Sequence, residues 1–125
     1  LWCPRQKNLE TIIHTFLGCI FCKLERPDIV CIHNIGPALV IFLLKLFRVK
    51  TVFTYHSTNY KHQKWGKFAR FLLRLGEFCG IEFADRVIVI SKANQELLEK
   101  EYRRKDLKFI PNGVNVRKVL SPELL

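Results

Sequence analysis

Ala84-Asp85-Arg86-Val87-Ile88-Val89-Ile90-Ser91-Lys92 is the stretch on which the fold turns. Its run of β-branched residues, entered by a charged pair and left through a hydroxyl, reads as a strand covered on both faces, as in the interior of a parallel sheet. Ser91 stands where the N-cap of a helix over 92–102 belongs, ahead of a segment rich in helix formers. The backbone donors of that helix then face the end of the strand. A polar, anion-friendly corner at the carboxyl edge of the sheet follows.

The pattern recurs on either side. Asp28-Ile29-Val30-Cys31-Ile32-His33-Asn34 and Lys50-Thr51-Val52-Phe53-Thr54-Tyr55-His56-Ser57 are apolar runs that end in polar residues. A shorter run, Leu107-Lys108-Phe109-Ile110, stops at Pro111-Asn112-Gly113, a strong turn signal. The intervals are long enough for crossover helices, which parallel pairing requires. The chain therefore reads as βαβαβαβ, a Rossmann-like α/β domain with a parallel sheet flanked by helices.

The intervals read as helices in detail. Over 6–25, Leu9, Ile12, Ile13, Phe16, Leu17, Ile20, Phe21 and Leu24 recur every three or four residues and predict one buried face. His14 falls among them and reads as a core-edge packing residue. Gly36-Pro37 breaks the apolar length from Ile29 to Phe47 and excludes a membrane-spanning helix there; a packed helix over 37–47 is expected instead. Residues 57–65 are polar, aromatic and basic, a loop over the sheet edge. From Trp65 to about Ala84 a long helix is predicted, with Phe68, Phe71, Leu72, Leu75, Phe78, Cys79 and Phe83 as its buried stripe. Gly76 and Gly80 lie beside that stripe and allow a neighbouring backbone to come close. Lys61, Lys64, Lys67, Arg70 and Arg74 form a positive face.

One core and one domain fit 125 residues of which 49% are hydrophobic. The formal charge of +10 calls for an anionic partner: nucleic acid, a phosphorylated small molecule or an acidic membrane surface. The chain contains no methionine and opens on neither a signal nor a transit pattern, so it reads as a piece of a longer product. Five cysteines, Cys3, Cys19, Cys22, Cys31 and Cys79, scattered over apolar faces, read as free thiols of a reducing compartment, with the cytoplasm as default. Cys19-Ile20-Phe21-Cys22 sits inside a helical pattern without a second such pair, and reads as two small buried hydrophobes rather than a metal or redox motif. Dinucleotide-binding glycine fingerprints, P-loops, zinc-protease spacings and hydrolase elbows are all missing from the sequence.

Several segments, in order, resemble one family. These are Pro27-Asp28-Ile29-Val30 leading to Ile32-His33-Asn34, then Tyr55-His56-Ser57, then Leu75-Gly76-Glu77 with Phe83 to Ser91. The last is Phe109-Ile110-Pro111-Asn112-Gly113-Val114-Asn115. Together they look like the amino-terminal domain of GT-B glycosyltransferases of family 4. Tyr60 to Gly66 is similar to a basic-aromatic stretch in bacterial members that build polysaccharides.

The resemblance implies transfer of a sugar from a nucleotide-sugar donor to a glycan or lipid-linked acceptor, with retention at the anomeric carbon. It implies no metal and no cofactor beyond the donor itself. The active site of such enzymes lies in a cleft between two Rossmann-like domains. The histidine matching His56 contacts the donor sugar there, and Ser57 and Asn34 fall on the acceptor side. Arg74 is near basic residues that meet acceptor phosphate, and Ser91 lies on the same edge. On this reading 1–113 is the acceptor-side domain without its first strand and glycine-rich loop, and 114–125 begins the interdomain linker. The donor-binding pair of glutamates, eight positions apart in the family, has no counterpart here. This polypeptide alone is therefore expected to be inactive. The expected place is the cytoplasm, with peripheral contact at the inner face of the plasma membrane as an option the basic face allows.

A rival class is a basic α/β module that grips nucleic acid through 61–74, with binding that weakens steeply with salt. Against it, the positive residues alternate with bulk that packs inward and no nucleic-acid motif occurs, so no nucleic-acid partner is expected. A face that touches anionic membrane is compatible with the transferase reading.

Overall fold

The computed structural model describes residues 9–57 and 66–113. In chain order these form α1 (Leu9–Glu25), β1 (Ile29–His33), a 3-10 turn (Pro37–Val40) running into α2 (Ile41–Leu46), β2 (Lys50–Tyr55), α3 (Lys67–Phe83), β3 (Arg86–Val89), α4 (Lys92–Tyr102) and β4 (Lys108–Phe109). The sheet is four-stranded, all parallel, in the order β1-β2-β3-β4. The expected α/β Rossmann-like architecture is what the chain adopts. Trp65 and 114–125, parts of the expected helix and linker, lie outside the described residues.

Because every crossover steps the same way along the sheet, right-handed connections put the 37–46 segment, α3 and α4 on one face. Ile32, Phe53 and Val87 share a register row on that face, with Tyr55 and Val89 the next row, and all five are buried. The opposite face is thinly covered among the described residues. Ile29, Cys31 and His33 are exposed, and Val52 and Ile88 half-buried. The expectation that the third strand is covered on both faces is corrected: its apolar run comes from one deeply buried row and one half-buried row.

The helices bury less, and bury other residues, than their periodicity predicts. Over 12–25 of α1, Cys19 is the one buried residue, with Cys22 packed against the core; Ile12, Phe16, Ile20, Phe21 and Leu24 are exposed. That helix meets its neighbours along a narrow line on the 37–46 segment, too little surface to cover its wide apolar arc. His14 is exposed rather than at a core edge. The expected single helix over 37–47 is split, with Pro37 opening a 3-10 turn before α2. Ala38, Val40, Ile41 and Leu44 reach the core while Phe42 and Leu46 face out.

The α3 stripe is rotated from its expected position. Gly76, Glu77, Cys79, Gly80 and Ile81 are the buried residues, whereas Phe68, Phe71, Leu75 and Phe78 are exposed and Leu72 and Phe83 half-buried. The glycines explain the rotation. A Cβ on Gly76 would fall 2.1 Å from the Ile35 carbonyl oxygen, and one on Gly80 2.6 Å from the Phe53 ring. The close approach foreseen for these glycines is therefore real, but they are the contact surface themselves. Phenylalanines at the same azimuth would hold the helix off the sheet. Instead they project outward, where Phe78 and Phe83 meet edge to face at 6.0 Å.

Candidate functional site

Parallel pairing sends the carboxyl ends of all four strands to one rim, and the polar residues singled out in the sequence follow them. Asn34 is the residue after β1; it takes a left-handed conformation (φ 70°), which asparagine tolerates better than most residues. Its backbone N–H donates to the Thr54 carbonyl at 3.2 Å, so the turn is tied to β2. His56 and Ser57 follow β2 directly, one half-buried and the other exposed.

Ser91 lies two residues beyond β3. Its hydroxyl accepts from the Asn94 N–H at 3.3 Å, the N-cap bond expected from sequence. The Asn94 side-chain amide then donates to the His56 carbonyl at 3.1 Å. A single bridge thus links the start of α4 to the end of β2. Asn34, His56, Ser57 and Ser91 consequently occupy three adjacent strand ends on the same rim.

Arg74 reaches this rim from a different element. It sits on α3 three residues before Glu77, or about 4.5 Å nearer the helix amino terminus at the standard rise. Glu77 in turn meets the hydroxyl of Tyr55, the last residue of β2, at 3.4 Å. Arg74 is therefore one turn rimward of a point fixed against β2, and is exposed. Lys67 and Arg70 continue the positive face along exposed positions of α3; Lys61 and Lys64 lie outside the described residues.

Two further groups join the rim. The His33 ring lies 5.8 Å from the His56 ring, tilted by 46°, so a pair of imidazoles stands there rather than one. The register pairs His33 with Thr54, two residues before His56, and since alternate residues share a face this brings the two rings together. Glu77, wholly buried beneath the rim, is the other. In sequence it looks like one more helix-surface charge, and only the glycines around it reveal that its face turns inward.

The cysteines stand apart from this geometry. Cys19, Cys22, Cys31 and Cys79 are free thiols, and Cys31 is exposed rather than on an apolar face. Burial pushes the Cys19 and Cys79 thiols above their ordinary range, with the neighbouring Cys22 adding to the effect at Cys19. Among the described residues, no cluster of three or more histidines, cysteines or carboxylates could hold a metal ion. Nor is any helix among them long and apolar enough to cross a membrane.

A parallel sheet with a polar carboxyl rim is a ligand crevice by topology, but topology does not name a reaction. The family model described as Glycosyltransferase Family 4 matches residues 8–118. The chain belongs to that family. No curated protein matches it. Membership makes the domain part of the glycosyltransferase class, with a sugar donor and an acceptor as its substrates. The rim of Asn34, His56, Ser57 and Ser91 gathers amide, imidazole and hydroxyl groups at three adjacent strand ends.

Proposed function

We propose that this chain is the acceptor-side half of a retaining glycosyltransferase. It moves a sugar from a nucleotide-sugar donor to a glycan or lipid-linked acceptor in polysaccharide or cell-surface glycan synthesis. The observation that carries this reading is the convergence of His56, Ser57, Asn34 and Ser91 on neighbouring strand ends in a chain of this family.

In this reading His56 contacts the donor sugar and holds it by hydrogen bonding, while Ser57 and Asn34 orient the acceptor hydroxyl. Retention requires the acceptor to arrive on the side from which the nucleotide leaves. The task of this half is thus to fix the position of the acceptor rather than to supply a strong base. Arg74 meets an anionic acceptor group by charge, and the reaction uses no metal. Lys67, Arg70 and Arg74, beside exposed Phe68 and Phe71, suit the headgroup layer of an anionic membrane and place the enzyme in the cytoplasm at its inner face.

Replacement of His56 by alanine in a full-length transferase that contains this domain tests the reading. Turnover with nucleotide-sugar and acceptor should fall at least about tenfold, or roughly 1.4 kcal/mol of barrier. Circular dichroism should stay unchanged. Unimpaired turnover would return His56 to a structural role.

A further inference from the structure

The amino-terminal rim of the sheet, opposite the strand ends described above, carries its own concavity. A groove of about 880 Å³ opens there between the ends of α1 and α2 and the starts of β1 and β2. Its lining includes Lys23, Arg26, Asp28, Phe47, Arg48 and Lys50. Four cations against one carboxylate give it a net charge of +3. Its size falls within the usual range of small-molecule sites.

These cations are more than the helix ends require. A basic residue in the last turn offsets a helix dipole, and α1 and α2 already have one each in Lys23 and Lys45. Both are engaged: Lys23 lies 4.5 Å over the Phe47 ring, and Lys45 donates to the Phe83 carbonyl at 3.2 Å. Arg26, Arg48 and Lys50 are additional. Among the described residues their side chains have no hydrogen-bond or ion-pair partner, although Asp28 shares the groove.

The two arginines also stand in left-handed conformations, at φ 49° and 59°, where glycine or asparagine would be easier. That conformation is strained for a residue with a Cβ. Arg103 ends α4 in the same conformation, so convergence in the groove rather than conformation carries the weight.

We propose that this groove is a second binding site, for a phosphate-bearing anion, distinct from the crevice at the carboxyl rim. Guanidinium forks of Arg26 and Arg48 match phosphate oxygens in pairs, with Lys50 supplying a point charge. A free pyrophosphate and a phospholipid headgroup offer the same chemistry.

The experiment measures binding of the full chain to inorganic pyrophosphate by calorimetry at physiological ionic strength, with sulfate as control. In parallel it measures binding to vesicles of phosphatidylcholine alone or mixed with phosphatidylglycerol. The variants are R26Q/R48Q/K50Q, the conservative R26K/R48K, H56A and K67Q/R70Q/R74Q. Pyrophosphate binding that exceeds sulfate binding should weaken by at least about tenfold in the triple glutamine variant, since charge-assisted contacts are lost. The lysine pair should weaken it less, and H56A should leave it unchanged. Binding to anionic vesicles alone, lost in the same triple variant, supports the site and identifies a headgroup as its ligand. Binding to neither probe, or binding that survives in R26Q/R48Q/K50Q, overturns the proposal. Loss in H56A or in K67Q/R70Q/R74Q instead assigns the anion to the transferase crevice or to α3, and also overturns it. The readouts are separate from turnover, so they decide the groove whatever the outcome for His56 catalysis.

Discussion

The two rims of the sheet use their polar residues in opposite ways. At the amino rim, the side chains of Asp85 and Arg104 are locked to backbone. Asp85 accepts from the Thr51 N–H at 2.8 Å and from its hydroxyl at 3.3 Å, joining the starts of β2 and β3. The Arg104 guanidinium donates to the carbonyls of Ile81 and Ala84 at the end of α3, and to both oxygens of Asp106. At the carboxyl rim the close fit comes from glycine and from backbone bonds. Gly76 lets α3 rest on the Ile35 carbonyl, and Asn34 is fixed by its N–H. The side chains of Asn34 and His33 are thereby left exposed. Polar groups spent on architecture cannot bind substrate. This fold ties Asp85 and Arg104 into its amino rim, beside the basic groove, and leaves Asn34 and His33 exposed at the carboxyl rim.

If that division holds, damage at each rim should have a different signature. The largest effect is expected from Gly76→Ala. The new methyl cannot be accommodated by moving a flexible side chain, because it meets a backbone carbonyl, and overpacking of this kind should cost about 3 kcal/mol. Urea denaturation would measure it, and a cost under about 1 kcal/mol would mean that α3 is not seated as described.

Arg104→Ala should come next, losing about 2 to 3 kcal/mol because charge-assisted bonds to two carbonyls and a carboxylate disappear together. The same variant in a full transferase should leave turnover at permissive temperature unaltered. A fall in kcat without a fall in Tm would erase the contrast between the rims.

Ser91→Ala sharpens the boundary, since it belongs to the carboxyl rim yet caps a helix. Loss of the bond to Asn94 should cost about 1 kcal/mol, and Ser91→Asp should restore most of it, by thermal denaturation.

The smallest effect concerns Asp106. Its hydrogen bond with Arg104 holds its carboxyl below the usual carboxylate range; burial opposes this, and the guanidinium charges of Arg104 and Arg86 add smaller depressions. A depressed folded value means that the ionised carboxylate stabilises the fold at neutral pH. That stability is present above the ordinary carboxylate value near 3.9 and disappears as pH falls through the folded one. Asp106→Asn should therefore be less stable than the parent at pH 7 by a few tenths of a kcal/mol, the group being half exposed, and the gap should close under acid. A gap that widens on acidification would show that the pair is not what holds Asp106.

How far the sequence alone reached can be seen residue by residue. Strand positions were legible because their apolar runs and polar ends coincide with one rim of a parallel sheet; β1, β2 and β3 fall within the predicted runs. The helix over 92–102 and its Ser91 cap were legible for a local reason: the cap bond spans only three residues. The helix faces were not legible. Periodicity reports where apolar residues lie on a helix, and in α1 and α3 that arc is wider than the contact available. Which part of it turns inward depends on how closely a partner can approach. In α3, two glycines settled that in favour of Glu77 and Ile81 over Phe68 and Phe71.

The candidate site divides along the same line. Asn34, His56, Ser57 and Ser91 were visible as strand-end residues, since connection rules send parallel strand ends to one side. His33 as a neighbour of His56, the Asn94 bridge and the buried Glu77 were not visible, each being a contact between segments distant in the chain. Local pattern, repeated four times, determined that this chain is a parallel α/β domain with its polar chemistry on the carboxyl rim. Tertiary structure alone decided which helix face is buried, which imidazoles meet, and that a basic groove opens on the far rim. The physical reason is range: strand, turn and cap energies are set within a few residues, whereas burial and ring contacts are set by the closest distance that two remote backbones can share.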